Sequence, residues 1–251
     1  MIIVEDLHVT FNPGSPLERR AVRGVGLTLG EGEFATVIGS NGAGKSTLLA
    51  AIAGDVIPQK GHIRIGERDV TREAPAKRAA RVARVFQDPL AGSCADLSIE
   101  ENLALAAMRG SRRGFGLALR AERRKLLRER VAELGLGLEG RMGDRMGLLS
   151  GGQRQAVAIA RTRLSDAKLV LMDEPTAAIS VRQVAEVLDL IRRLKDHGVA
   201  VILISHRMPD VFSVCDRVVV LRRGRKVADK PVAASSPEEV TALITGAKEA
   251  A

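Results

Sequence analysis

Polar and apolar residues alternate from Ile2 to Phe11 and again from Val22 to Leu29, the period-two pattern of strands with one buried face. Glu33–Ile38 is more continuously apolar. It runs into Gly39-Ser40-Asn41-Gly42-Ala43-Gly44 and then a helix-like Lys45–Ala53. Two more short strands fit His62–Ile65 and Val82–Phe86. Past Asp88 the texture changes: Glu100–Met108 and Leu119–Leu134 place Leu and Ala at helical spacing among charged residues, and Gly110–Gly116 reads as an exposed loop between them. Short apolar runs then return at Val170–Met172, Val199–Ile204 and Val218–Leu221, separated by helical stretches such as Val181–Leu194. Buried parallel strands alternating with helices produce that pattern. Ala233–Ala251 reads as a short terminal helix with a polar tail. The order strand, glycine loop, helix, then a helical stretch, then strands again predicts an α/β core interrupted by a helical insertion.

Composition narrows the class. Hydrophobic residues make up 45% and charged residues 27% of 251, as in a globular domain with a full core. No apolar run approaches the roughly 18 residues that span a bilayer. The first residues lack a basic segment followed by a long apolar one, so no signal peptide is expected and the reading is cytosolic. Cys94 and Cys215 are far apart and lack metal-ligand spacing, which predicts reduced thiols rather than a disulfide framework or zinc site.

The net charge of +9 raises the question of nucleic acid. Five Phe and no Trp or Tyr make a poor base-stacking platform, so no nucleic-acid partner is expected. Much of the excess charge lies between Arg109 and Arg130. That run suits a solvated helix face, or a surface that meets anionic headgroups or the cytosolic loops of a membrane partner.

Gly39–Thr47 matches G-x-x-x-x-G-K-[ST]. Its glycines, Gly39, Gly42 and Gly44, let the backbone wrap a polyphosphate with several N–H groups pointing inward. Ser40, Asn41 and Ala43 complete the loop, and the helix that follows adds its positive N-terminal end. Lys45 would reach the β- and γ-phosphates and Ser46 would sit on Mg²⁺, with Thr47 next in line. Leu169-Val170-Leu171-Met172-Asp173-Glu174 is an apolar strand ending in two acids. Asp173 would hold the magnesium shell and Glu174 would polarise the attacking water as general base. Taken alone, such an acidic pair could equally cap a helix. The glycine loop upstream favours the catalytic reading.

Leu149-Ser150-Gly151-Gly152-Gln153 leads into a helix expected to begin near Arg154. A serine hydroxyl and two glycine N–H groups at a helix start make a second anion site. A plain N-cap would explain Ser150 but not the whole pentapeptide. With the two motifs above, this sequence resembles the ATPase subunits of ATP-binding cassette (ABC) transporters along nearly its full length. The resemblance implies a P-loop NTPase core, a mixed sheet flanked by helices with an N-terminal antiparallel β part, plus an inserted helical subdomain. As one domain it divides into core segments 1–88 and 154–232, an insertion 89–153, and a terminal 233–251.

The resemblance also supplies roles. Gln87 resembles the glutamine that contacts Mg²⁺ and the lytic water. His206, after an apolar strand, resembles the switch histidine at the γ-phosphate, and Phe11 holds the place of the aromatic that stacks on adenine, although a strand-end core Phe competes. Two subunits are expected to pack head to tail, as a homodimer, each ATP held between one Gly39–Thr47 loop and the partner's Ser150, Gly151, Gly152 and Gln153. Partners would be membrane permease subunits and a substrate-binding protein, with the ATPase on the inner face of the cell membrane. After Glu174 the family continues to Leu-Asp, where this chain has Ile179-Ser180. Without that carboxylate, a slower or less cooperative ATPase is expected.

Val85–Cys94 and Leu97–Leu105 resemble bacterial importers of tryptophan or tyrosine, so import of an amino acid or similar small solute is the expectation. The rival is a soluble ABC ATPase that loads iron–sulfur clusters onto a scaffold, which would share every motif.

Overall fold

The computed structural model describes residues 1–109, 119–133, 135, 137–165, 167–177, 179–195 and 197–247; the loop expected at Gly110–Gly116 lies outside them. In chain order, β1 (Ile2–Phe11), β2 (Arg19–Leu29), β3 (Phe34–Ile38), α1 (Lys45–Ala53), β4 (Lys60–Ile65), β5 (Arg68–Asp69), a single turn α2 (Pro75–Arg78) and β6 (Val82–Val85) come first. The helices α3 (Ile99–Ala107), α4 (Ala121–Glu133) and α5 (Gly151–Thr162) follow. The chain then runs through β7 (Leu169–Asp173), α6 (Val181–Lys195), β8 (Ala200–Ile204), α7 (Met208–Val214), β9 (Arg217–Arg222), β10 (Arg225–Pro231) and α8 (Pro237–Thr245). Among the described residues no helix is long and apolar enough to cross a membrane.

These strands form two sheets. An antiparallel one runs β2-β1-β4-β5, and a mixed one runs β10-β9-β3-β8-β7-β6. In the mixed sheet β6, β7, β8, β3 and β9 are mutually parallel and β10 returns antiparallel. Every residue of β3 and of β8 is buried, because a central parallel strand is covered on both faces and needs apolar side chains on each. One apolar core lies between the two sheets, where Val4, Leu27, Val37 and Ile202 meet Leu48 and Ile52 of α1. Another lies on the opposite face, where Val170, Met172 and Leu203 meet Leu103, Ile159, Val187 and Ile191 from the later helices.

The differences from the sequence reading have local causes. β2 starts three residues before Val22, because exposed Arg19 and Arg20 pair with Phe11 and Thr10 across the sheet. The polar strand β10 was not anticipated, since an edge strand needs few apolar residues. α5 begins at Gly151 rather than near Arg154. The Gln153 N–H donates to Ser150 Oγ at 3.3 Å and the Ser150 N–H donates to Gln153 Oε1 at 3.1 Å. This reciprocal cap offsets the roughly 1 kcal/mol that each glycine costs a helix.

α1 is held from behind by Arg78, whose side chain is almost fully buried. Its Nη1 donates to the carbonyls of Ala51 and Ile52 at 2.7 and 2.9 Å, satisfying the end of the helix. A lone Arg in a four-residue helix carries no sequence signal for that role.

Candidate functional site

The C-terminal ends of β3, β8, β7 and β6 lie side by side, and within two residues of each end stands a residue singled out above: Gly39, His206, Glu174 and Gln87. Open α/β sheets gather their ligands at this edge. Gly44 is the N-cap of α1 with φ 103°, and a Cβ there would stand 2.3 Å from the Ala21 carbonyl oxygen. Only glycine fits. The start of α1 has no side-chain cap and no acidic residue in its first turn, so its first N–H groups remain for an incoming anion.

Lys45 Nζ donates to the carbonyls of Gly39 and Ser40 at 2.8 and 3.1 Å, folded over its own loop. Burial lowers its pKa, while the Glu174 and Asp173 carboxylates pull it upward. Ser40, Asn41, Gly42 and Ser46 are exposed, Thr47 is half-buried and Ala43 is buried. Beside Ser40 a hollow of about 760 Å³ is lined by Arg23, Arg222, Arg223 and Arg225, which adds positive potential next to the loop.

Asp173 ends β7 half-buried, and burial raises its pKa against the opposing pull of Arg84 and Lys45. Glu174 follows with φ 49°, a left-handed conformation that costs a non-glycine residue about 1–3 kcal/mol and concentrates at functional sites. Its N–H donates to the Ile204 carbonyl at 2.9 Å, and its Oε2 meets His206 Nδ1. The Glu174 side chain is 18% exposed and that of His206 68%, so the carboxylate is sheltered while the imidazole can swing.

Behind this pair, Thr176 Oγ1 donates to the buried Asp210 at 2.6 Å and Arg207 Nε approaches the same oxygen at 3.2 Å. The segments after β7 and β8 are thus tied together. Gln87 is exposed just past β6. Ser46, Asp173 and Gln87 offer hydroxyl, carboxylate and amide oxygens, the hard donors that suit Mg²⁺.

Phe11, at the end of β1, is 39% exposed, so it is not a core side chain. Its strand partner Arg19 brings a guanidinium nitrogen within 3.6 Å of where a Cβ would stand on Gly42, placing Phe11 at the margin of the glycine loop. Ser150, Gly151, Gly152 and Gln153 lie apart from these residues, at the start of α5. Among the described residues no hydrogen bond or ion pair joins them to Gly39–Thr47.

Sequence reasoning missed the residues that hold these parts. Arg161, on α5, is 8% exposed and donates to Ser93 Oγ at 2.7 Å and to the Gly92 carbonyl, fastening the segment downstream of Gln87. Burial, then the nearby Arg109, push its pKa down to about 10. Gln183 and Ser180 link α6 to Ser150. An Arg on the apolar side of a helical pattern was the one available signal for Arg161; Gln183, at an ordinary surface position, gave none.

Fold and glycine loop together define an ATP-binding P-loop ATPase. The model of the ABC transporter family matches residues 22–177, and this chain belongs to that family as an ATP-binding subunit. The fructose import ATP-binding protein FrcA of Rhizobium meliloti is 40% identical over 87% of this chain and 85% of its own length. The tyrosine transport ATP-binding protein of Clostridioides difficile is 33% identical over 91% of each. A ribose import ATP-binding protein, RbsA of Halalkalibacterium halodurans, is 34% identical over 96% of this chain but only 46% of its own length. The chain therefore spans about half of such ribose relatives. Among solved structures, the dimeric bacterial ABC cassette MJ0796 matches with a TM-score of 0.78 and 26% identity, over 92% of this chain and 99% of that one.

Proposed function

We propose that this chain is the motor subunit of an importer for a small polar solute, working as a head-to-tail homodimer under membrane permease subunits. The observation that carries the reading is the convergence at one sheet edge of the uncapped start of α1, Asp173 and the sheltered Glu174 carboxylate with His206 against it. In this reading Gly39–Thr47 cradles the triphosphate, Lys45 moves from its own carbonyls to the phosphates, and Phe11 stacks on the adenine. Glu174 takes the proton of the attacking water, and His206 holds Glu174 and meets the γ-phosphate. Gln87 orients the water. Mg²⁺, held by Ser46, Asp173 and Gln87, would neutralise phosphate charge.

Ser150, Gly151, Gly152 and Gln153 complete the site of the other copy, so that ATP closes the pair and hydrolysis lets it open. Segments 1–88 and 154–232 act as the core and 89–153 as the insertion that meets the permease, on the inner face of the cell membrane. A companion binding protein would deliver the solute.

The names of the relatives favour transport over cluster assembly, and a sugar over an amino acid as the cargo; the tyrosine transport relative keeps an amino acid as the second reading. The test is to purify the protein from its native cells in mild detergent and identify its companions by mass spectrometry. A co-purifying permease, with a binding protein that binds a monosaccharide in calorimetry, is the expected result. A binding protein that takes tyrosine instead selects the second reading. A scaffold protein without a permease rejects both.

A further inference from the structure

Gln183, in the first turn of α6, joins two helix starts. The Ser180 N–H and Ser180 Oγ–H both donate to Gln183 Oε1, at 3.3 and 3.1 Å. A backbone N–H can only donate, so the amide oxygen must face Ser180 and the NH₂ must face the other way. There Nε2 donates to Ser150 Oγ at 3.1 Å. The amide packs against Gly152, where a Cβ would stand 2.4 Å from Gln183 Cδ and 2.7 Å from Nε2. Glycine at that position is what lets the amide reach Ser150, which accounts for a residue that an N-cap alone leaves unexplained.

The consequence concerns one proton. A serine hydroxyl has two acceptor sites and one donor. On Ser150 both acceptor sites are taken, by the Gln153 N–H at 3.3 Å and by Gln183 Nε2. The hydroxyl proton has neither of these groups to donate to and is left pointing outward from an exposed position.

We propose that Gln183 is a positioning residue that turns the Ser150 hydroxyl into an obligate donor, aimed at a phosphate oxygen of the nucleotide held by the second copy of the chain. The inference rests on the reading that Ser150 completes the other copy's site. Ser180, in the place where a carboxylate was expected, fixes the amide by donating to its oxygen. A carboxylate at 180 would instead repel that oxygen and attract the NH₂.

Gln183→Glu separates this role from helix stability. The new carboxylate still accepts from Ser180, and a negative charge suits the first turn of α6. Toward Ser150 it can only accept, so the hydroxyl proton turns inward. In the full-length protein, the melting temperature and ATP binding to the monomer should stay at the wild-type level. Turnover and ATP-driven dimerisation, measured by light scattering, should fall about tenfold, matching Ser150→Ala.

Wild-type turnover in Gln183→Glu, with Ser150→Ala impaired, overturns the inference and leaves the two-copy site standing. An unimpaired Ser150→Ala overturns that underlying reading and the inference with it. If Gln183→Glu melts lower, Gln183→Met, similar in volume and without a donor, takes its place with the same expected fall and the same overturning result.

Discussion

The starts of α1 and α5 are both glycine-rich helix N-termini, and they are finished in opposite ways. α1 has a left-handed glycine at its N-cap, no side-chain partner and no acid in its first turn. α5 is closed by the reciprocal Ser150–Gln153 cap, with Gln183 reaching across from α6. α3 and α8 are likewise capped by Ser98 and Ser236. Leaving a helix uncapped forgoes about 1 kcal/mol, and α1 is held at its far end by Arg78 instead. The lesson is a division of labour. One helix start has no side-chain cap and no acid beside its first N–H groups. At the other, the reciprocal cap takes up the Ser150 and Gln153 N–H groups, and the side chain of Gln183 rests on the Ser150 hydroxyl.

That contrast can be broken from either side. Glu174→Gln should cost the most, with turnover down about 10²–10⁴-fold while ATP still binds, because only proton abstraction is lost; gel filtration with ATP should then show a persistent dimer. A variant that hydrolyses ATP at the normal rate removes Glu174 from the base role. Lys45→Ala should weaken ATP binding itself and lower turnover about 10²–10³-fold, the scale of losing one charged donor to a reacting group. Fluorescent-nucleotide titration of the monomer reads this directly, and unaltered affinity would mean that α1 binds phosphate without the lysine.

On the other side, Ser150→Ala should leave monomer binding intact and reduce turnover about tenfold, the worth of one hydrogen bond to a charged group. Equal losses in both assays would erase the distinction between the two helix starts. Ser180→Asp is the finest probe. It should change turnover or its Hill coefficient a few-fold, because the new carboxylate faces the oxygen of Gln183. If neither changes, residue 180 plays no part in coordinating the two sites.

Much of this was legible in the sequence because the signals are local. β3, α1 and the turn between them follow from an apolar run, a glycine loop and a helical stretch in consecutive residues. Asp173 and Glu174 announce themselves as acids at the end of an apolar strand. The basic run was legible only as charge. Within it Arg124 lies 3.4 Å from Glu100, and Arg130 3.2 Å from Glu133, so part of it is paired at the surface.

What stayed hidden has no local signature. Arg78, Arg161, Thr176, Asp210 and Gln183 act through partners far along the chain, such as Gly92 and Ser93 for Arg161 or Ser150 for Gln183, and nothing near them in sequence encodes the distance. The start of α5 was misplaced for a related reason. Glycine propensity argued against helix at Gly151 and Gly152, and the cap that overrides it depends on how Ser150 and Gln153 meet.

By itself the sequence determined the chemistry: a phosphate loop, an acidic strand end, and a family whose subunits hydrolyse ATP. Those properties reside in short runs whose backbone conformation and donor atoms are set by neighbouring residues. Tertiary structure alone decided which loops share an edge, that Glu174 meets His206, and that the Gln183 amide reaches the Ser150 hydroxyl. Each of these depends on the order of strands in the sheet or the packing of α6 on α5, and burial of side chains distant in sequence sets both.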